Sequence, residues 1–353
     1  MAKKIRVGIG GFGRSGCDIH AKWLREVPDM FEIVAVSDEQ DERLAEAARD
    51  FKCKTFKDWR ELLKKTKDMD LFVNALPSLW HSEGTVAALK AGFNTVCEKP
   101  VGLSVKEFDA MAAAAKRSGK LFAPFQNSRF YPFFVKIREI IDSGAIGKLV
   151  HVHSVWGGFS RRWDWQTLLK NGGGNLHNTG PHPMDHAIVL FGKKQPKVFC
   201  KMKAIQPFGG DADDFCRVAL YGDGKDDPLV EILLSSYLAF PMGPQYNISG
   251  TLGGIESNMT EVKWKFFNPA KAPKQAMWKK WSNNRQYCSE ALPWEECSWK
   301  REMPNSFSHN SKAFYDNIHA ALTKGADLVV EPGEVRRQII AMEECYRQNS
   351  MFV

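Results

Sequence analysis

The chain has 353 residues, 44% apolar and 25% charged, the balance of a globular protein with room for two cores and not of a disordered or fibrous one. Its formal net charge of +8 is spread along the sequence, in clusters no denser than Lys64-Lys65 and Lys279-Lys280, which reads as solvated surface and argues against nucleic-acid binding. No apolar run nears the ~20 residues of a membrane span and no opening segment has a secretory apolar block, so no membrane contact is expected and the cytoplasm is the expected location.

The first expected strand, 5–10, runs into a turn with Gly8, Gly10 and Gly13 at the spacing that lets a strand become a helix around a dinucleotide's pyrophosphate. Gly8 and Gly10 are expected to let the backbone turn and approach the phosphates. Gly13 is expected to let the following helix, 14–28, pack on the strand with its free N–H groups facing the anion. The second strand, 31–37, ends at Asp38, whose carboxylate can accept from the adenosine ribose hydroxyls. With Glu39 beside it and no nearby arginine, a 2′-phosphate would meet two negative charges, so NAD is expected over NADP. The plainer alternative is that Asp38 and Glu39 only start helix 40–51.

Strands near 54–55, 70–75, 94–97 and 121–125 then alternate with helices 58–65, 80–91 and 104–118, the rhythm of a doubly wound parallel sheet. Gly92 and Gly119 stop two of these helices. Beyond Gln126 the pattern changes. A helix, 133–142, precedes strand-like runs at 148–156, 197–204, 215–221, 229–236 and 246–249, joined by short polar turns. The chain thus divides into an α/β domain over 1–126 and an α+β domain over 127–353, the latter built on a large, mostly antiparallel open sheet whose free face suits a homodimer or homotetramer. The proline- and tryptophan-rich stretch 268–305 reads as an ordered arm over a site or a neighbouring subunit, and helices 306–323 and 333–348 close the chain. The eight cysteines form no CxxC pair, which predicts reduced, packed thiols.

Glu98-Lys99-Pro100 follows the strand ending at Cys97, at the carboxyl edge where doubly wound sheets bind ligands. Lys99 can there donate a proton or hydrogen bond to a reacting oxygen, with Pro100 fixing the backbone and Glu98 orienting the amine. A surface lysine at the sheet edge is the alternative.

Gly8 to Gly13, Pro77 and His81 before Ala91-Gly92, Glu98-Lys99-Pro100, and Gly172 to Gly174 leading into Gly180-Pro181-His182 and Asp185 occur in one order over nearly the whole chain. In this the sequence resembles the Gfo/Idh/MocA oxidoreductases. The resemblance implies an amino-terminal Rossmann domain, a carboxyl-terminal domain with an open sheet, and hydride transfer between NAD or NADP and a hydroxyl carbon of a sugar or cyclitol. It matches Lys99 to the lysine that touches the reacting hydroxyl and His182 to the acid/base histidine. Phe12, Arg14, Pro77, His81, Glu98 and Gln126 complete the implied cofactor contacts. Where the family has an aspartate four residues before the histidine, this chain has Asn178. An amide takes up no proton at neutral pH, so proton transfer falls to His182, Lys99 or water. The asparagine, together with Asp164-Trp165-Gln166, is similar to a subgroup of the family.

His182, flanked by Pro181 and Pro183, is expected at a helix start, whose positive end favours the neutral imidazole a base requires. His177, Asp185 and His186 raise the thought of a metal, but the prolines break the i, i+4 spacing of a helical ligand pair, and none is expected. Arg162, Trp163, Asp164 and Trp165, with Asn127, Arg129 and Asp185, supply the aromatic faces and polar groups that hold a polyol. Two other readings remain open: a glycosidase that oxidises its sugar transiently, and a non-catalytic NAD-holding regulator.

Overall fold

The computed structural model describes residues 4–279, 287–301 and 307–352. Six parallel strands, β1 (Ile5–Gly10), β2 (Phe31–Ser37), β3 (Lys54–Phe56), β4 (Leu71–Asn74), β5 (Asn94–Cys97) and β6 (Phe122–Pro124), form a sheet in the order β3-β2-β1-β4-β5-β6. The order reverses beside β1, so the carboxyl ends of β1 and β4 diverge and open a crevice. The connecting helices are α1 (Lys22–Glu26), α2 (Asp41–Phe51), α3 (Trp59–Lys65), α4 (His81–Lys90) and α5 (Val105–Ser118). The side chains of Asp58 and Ser104 cap α3 and α5, satisfying amides that a helix start leaves free. Gly119, at φ 65°, ends α5 in the left-handed conformation.

One expected helix differs. Residues Ser15–Ala21 form a π-helix that passes into the short α1. This wider turn sits hard against the glycine loop, where a Cβ at Gly16 would stand 2.0 Å from the Gly11 carbonyl oxygen.

After α6 (Pro132–Asp142) comes the larger sheet, built from β7 (Leu149–Gly157), β8 (Lys197–Lys203), β9 (Phe215–Tyr221), β10 (Leu229–Ser235), β11 (Tyr246–Gly250), β12 (Gly253–Ser257), β13 (Glu261–Phe267) and β14 (Trp294–Lys300). Its order is β14-β13-β12-β11-β7-β10-β9-β8, antiparallel except where β7 meets β10. Strands β12, β13 and β14 go beyond the expected set. Alternation explains β13, where Val262 is fully buried between Glu261 and Lys263, a period of two. Strand β14 places part of the expected arm on the sheet edge, while residues 280–286 and 302–306, Trp281 among them, lie outside the described residues.

Between β7 and β8 lie α7 (Asn175–Asn178) and α8 (Pro181–Phe191), and the chain closes with α9 (Phe307–Lys324) and α10 (Pro332–Arg347). One face of the large sheet is sealed by α6, α8 and α10 through Phe134, Ile137, Met184, Ile188 and Met342; each such side chain contributes about 1.5–3 kcal/mol on burial. The other face carries the exposed Phe199, Tyr221 and Leu229. The segment 127–353 contributes to both cores, because Phe314, Tyr315 and Ile318 of α9 and Val335 and Ile339 of α10 pack with β1, β2 and α5 of the first sheet. All eight cysteines are free thiols, with the Cys200 and Cys216 sulfurs 3.6 Å apart in the second core. No helix among the described residues is long and apolar enough to cross a membrane.

Candidate active site

A cleft of about 690 Å³ runs from the carboxyl ends of β1, β2, β4 and β5 to the segment 162–178 of the second domain. Its floor is the glycine loop. Gly11 takes φ 86° and has no room for a Cβ, which would stand 2.5 Å from the Ala75 carbonyl oxygen. Gly13 has free space on that side, with the Arg43 guanidinium 3.6 Å from where a Cβ would be. Gly11, Gly13 and Arg14 line the cleft. Gly8 and Gly10 instead stand in β1, where Cβ atoms would collide with Met69 and Phe72. Glycine is needed there for strand packing, which corrects the expectation that both approach the phosphates. Phe12 is buried edge-to-face on Phe51, and its amide N–H donates to Asp38 Oδ2 at 2.8 Å.

Asp38 thus ties the loop to the end of β2, and Oδ1 also accepts from the Gln40 amide at 3.0 Å. Arg43, one turn into α2, reaches both carboxylate oxygens at 3.3–3.4 Å. The expectation of no nearby arginine is therefore wrong. Lys57 and Arg60 line the same end of the cleft. Five residues after Asp38, Arg43 was readable as an i, i+5 neighbour; Lys57 and Arg60 come from a different βα unit and carried no local signal.

At the other end, Glu98 and Lys99 follow β5. Glu98 is buried; its Oε2 accepts from the Lys99 amide at 2.8 Å, and the His20 imidazole from the π-helix stands 3.3 Å from Oε1. Burial alone would raise this carboxyl, but His20 and the Lys99 ammonium outweigh it and hold Glu98 at about 2. His20 is fixed in turn by the Tyr315 hydroxyl of α9 at 2.7 Å. Burial pushes Lys99 below its ordinary value, Glu98 opposes this, and the charges of Arg14 and Arg162 add to it. Pro77 lines the cleft. His81 is buried between two carbonyl oxygens, Pro100 at 2.7 Å and Leu76 at 2.8 Å. Burial lowers His81 and favours its neutral form, whose single ring N–H donates to one of these two carbonyls at the junction of the loop after β5 and the end of β4.

The second domain supplies the opposing wall. Lys99 Nζ donates to the Asn178 main-chain carbonyl at 2.9 Å, and the Asn178 side-chain oxygen accepts from Gln166 Nε2 at 3.2 Å. Gln166 also contacts Arg162, whose NH2 group donates to Asp164 at 2.6 Å. Arg162, Asp164, Trp165 and Gln166 all line the cleft. Trp163 does not: it is 78% exposed and meets Phe208 edge-to-face. His182 occupies the first turn of α8, as expected, partly buried, with its ring nearly parallel to Trp156 at 6.5 Å. Its Nδ1 is sealed from solvent without a partner. Burial first, then the charge of Lys99, hold this imidazole down at about 3, so it is neutral across the physiological range.

Three expected substrate ligands stand elsewhere. Arg129 and Asp185 form a buried two-pronged pair at 2.6 and 2.8 Å, extended by Glu334 at 2.5 Å. Asn127 is buried and donates to Ser311 at 3.4 Å. Gln126, an expected cofactor ligand, donates to Gln338, which donates to the Pro181 carbonyl just ahead of His182. These four side chains brace the junction of β6, α8 and the closing helices rather than facing the cleft. Among the described residues no group of three or more potential ligands could hold a metal ion.

A further group escaped sequence reasoning as a unit. His177 lines the cleft beside Asn178, with Tyr346 and Asp213 behind it. They are 169 and 36 residues away in sequence, and nothing local joins them.

An α/β crevice of the nucleotide-binding type thus faces a polar wall from a second, sheet-based domain. Residues 5–125 match the model of the oxidoreductase family with an NAD-binding Rossmann fold, and residues 134–256 match the GFO/IDH/MocA C-terminal domain. The chain belongs to the GFO/IDH/MocA oxidoreductase family. It is similar to the scyllo-inositol 2-dehydrogenase (NADP(+)) of Bacillus subtilis, 27% identical over 70% of this chain and 66% of that one. The myo-inositol 2-dehydrogenase of Thermotoga maritima is 30% identical over 55% of this chain and 57% of its own. Among solved structures, the aldose-aldose oxidoreductase of Caulobacter crescentus shares the fold with a TM-score of 0.76 at 18% identity, covering 99% of this chain and 98% of that one.

Proposed function

We propose that this protein transfers a hydride between a nicotinamide dinucleotide and a hydroxyl carbon of a sugar or cyclitol, with Lys99, His182 and Asn178 at the reacting end. One observation carries this reading: Lys99 from the first domain and Asn178 from the second meet in the same cleft as the glycine loop. The cleft residues fit a dinucleotide, because Gly11, Gly13 and Arg14 leave an open, cationic cradle at the β1 turn and Asp38 stands at the end of β2. When bound, the cofactor supplies the hydride acceptor or donor. Lys99 polarises the reacting oxygen as an ammonium donor, and the hydroxyl proton passes by way of the neutral His182 to water as the carbonyl forms. Asn178 and Gln166 position the substrate, with Arg162 and Asp164 binding hydroxyls and Trp165 offering an apolar face.

NAD is proposed as the preferred cofactor on the strength of Asp38, with Arg43 the residue that moderates that preference. The substrate class follows the inositol dehydrogenases among the relatives. The exposed face of the large sheet is proposed to pair subunits, since Phe199, Tyr221 and Leu229 stand uncovered there.

The test is a panel of cyclitols, aldoses and glycosides assayed with NAD and NADP for reduced cofactor. Turnover of a cyclitol or sugar is expected. Aglycone release from a glycoside without net reduced cofactor would replace this reading with redox-neutral glycoside cleavage, and tight cofactor binding with no turnover of the panel would replace it with a non-catalytic role.

A further inference from the structure

Tyr346 and Asp213 lie behind His177, which itself lines the cleft. The Tyr346 ring, on α10, stacks on His177 with centroids 4.6 Å apart and planes 28° from parallel. Its hydroxyl is 3.0 Å from His177 Nδ1 and 3.3 Å from Asp213 Oδ1. Asp213 is buried and grips the segment that carries His177 and Asn178: Oδ2 accepts from the Leu176 amide at 2.9 Å and its main-chain carbonyl accepts from the Asn175 amide at 2.8 Å. The fit is close enough that a Cβ on Gly174 would stand 2.0 Å from Asp213 Oδ1. Asn178 leaves the cleft wall without a carboxylate at that position, while a carboxylate stands behind the same wall, connected to it through a phenol and an imidazole.

The chemistry of the three groups makes their hydrogen bonds directional. An ionised carboxylate only accepts, so Tyr346 must then donate to Asp213, and the phenol oxygen accepts from His177 Nδ1–H. A protonated Asp213 donates to the phenol oxygen instead. Tyr346 then donates to Nδ1, and the single proton of the neutral imidazole moves to Nε2 through solvent. The proton count balances, since the one taken up resides on Asp213 and His177 only changes tautomer. We infer that Asp213 acts through Tyr346 as a positioning array that selects the tautomer of His177, and so decides whether the cleft wall beside Asn178 presents a donor or an acceptor.

Both directions lie within reach near neutrality. Burial raises the Asp213 carboxyl to about 7, against the opposing Leu176 amide and Tyr346 hydroxyl, while burial, opposed by a hydrogen bond to the Gly173 main chain, lowers His177 to about 4 and keeps it neutral. The titratable neighbours of Asp213 are Tyr346 and Cys345 from α10, Cys200 from β8 and Cys216 from β9. Charge on the Cys200 thiol is among the influences that raise Asp213. Asp214, next in the chain, is engaged by the Tyr237 hydroxyl and by the Ile205 and Gln206 amides.

This inference rests on the hydride-transfer reading for its catalytic consequence but not for its structural test. The full chain is labelled with 15N-histidine, the His177 signals are assigned with His177→Gln, and the ring nitrogens are followed by NMR across neutral pH. The expected result is a change from Nε2–H below to Nδ1–H above a midpoint near neutrality, abolished in Tyr346→Phe and in Asp213→Asn. In parallel, Tyr346→Phe should lower kcat by about ten-fold or more and remove an inflection near neutrality from its pH profile, with KM and cofactor affinity within about two-fold. A single His177 tautomer throughout in the unsubstituted protein, or an unaltered transition in Tyr346→Phe, would overturn the array. Absence of any sugar turnover would sink the catalytic reading alone, because the NMR result stands without it.

Discussion

Lys99 Nζ donates to the main-chain carbonyl oxygen of Asn178 at 2.9 Å, across 79 residues of sequence and from one domain to the other. The contact fixes the amine in the crevice and binds the two walls together at the point where a substrate hydroxyl would lie. A main-chain acceptor is independent of the side chain at 178, so a substitution there leaves this grip intact.

Lys99→Met keeps the length of the side chain and deletes the donor. It should lower kcat by about 10²–10⁴-fold while cofactor affinity, measured by fluorescence titration, changes by no more than about three-fold. Equal losses in both would place Lys99 in cofactor binding instead.

The alkaline limb of the pH profile of sugar oxidation should be set by Lys99, and His182 should add no limb of its own. Lys99 is held below its ordinary value by burial and by Arg14 and Arg162, so activity that needs its ammonium form should fail on the alkaline side earlier than a free lysine would. His182, at about 3, stays neutral above about pH 5 and should add no acid limb there. Asn178→Asp brings a carboxylate beside Lys99, which favours the charged amine, and should move the alkaline limb upward; a downward shift would contradict this assignment.

Arg129 and Asp185 supply a stability prediction that excludes a substrate role. Removing one partner of a buried pair leaves the other charge uncompensated, and Asp185→Ala should cost about 3–5 kcal/mol in denaturant unfolding. Combining it with Arg129→Met should recover part of that loss. A variant of unchanged stability but raised KM would return Asp185 to the substrate site.

Cofactor choice should turn on Asp38 and Arg43 in opposite senses. Asp38→Ala should lower the NAD-to-NADP ratio of kcat/KM by about ten-fold or more, and Arg43→Ala should raise it. If both move the ratio the same way, the two act only by fixing the loop, as the Phe12 amide contact with Asp38 would then explain.

The parallel sheet was legible because each strand is a short apolar run bounded by glycine or a capping residue, and β1, β2 and β5 begin and end where the sequence places them. Strand β12 was not, since it opens on Gly253-Gly254 and has little side-chain pattern to read. Within the site, Lys99, Asn178, Arg162, Asp164 and Trp165 were found from short motifs. Arg129, Asp185, Asn127 and Gln126 were misplaced because charge and polarity in sequence do not tell a cleft ligand from a buried brace. Their partners, Glu334, Ser311 and Gln338, arrive from the far end of the chain.

Helices α9 and α10 bury Phe314, Tyr315, Ile318, Val335 and Ile339 in the core of the first sheet. A recombinant fragment cut at the apparent seam after Gln126 would therefore bare this apolar surface and lose the hydroxyl that steadies His20. Grafting the nucleotide-binding half onto another catalytic body therefore requires transplanting α9 and α10 along with it.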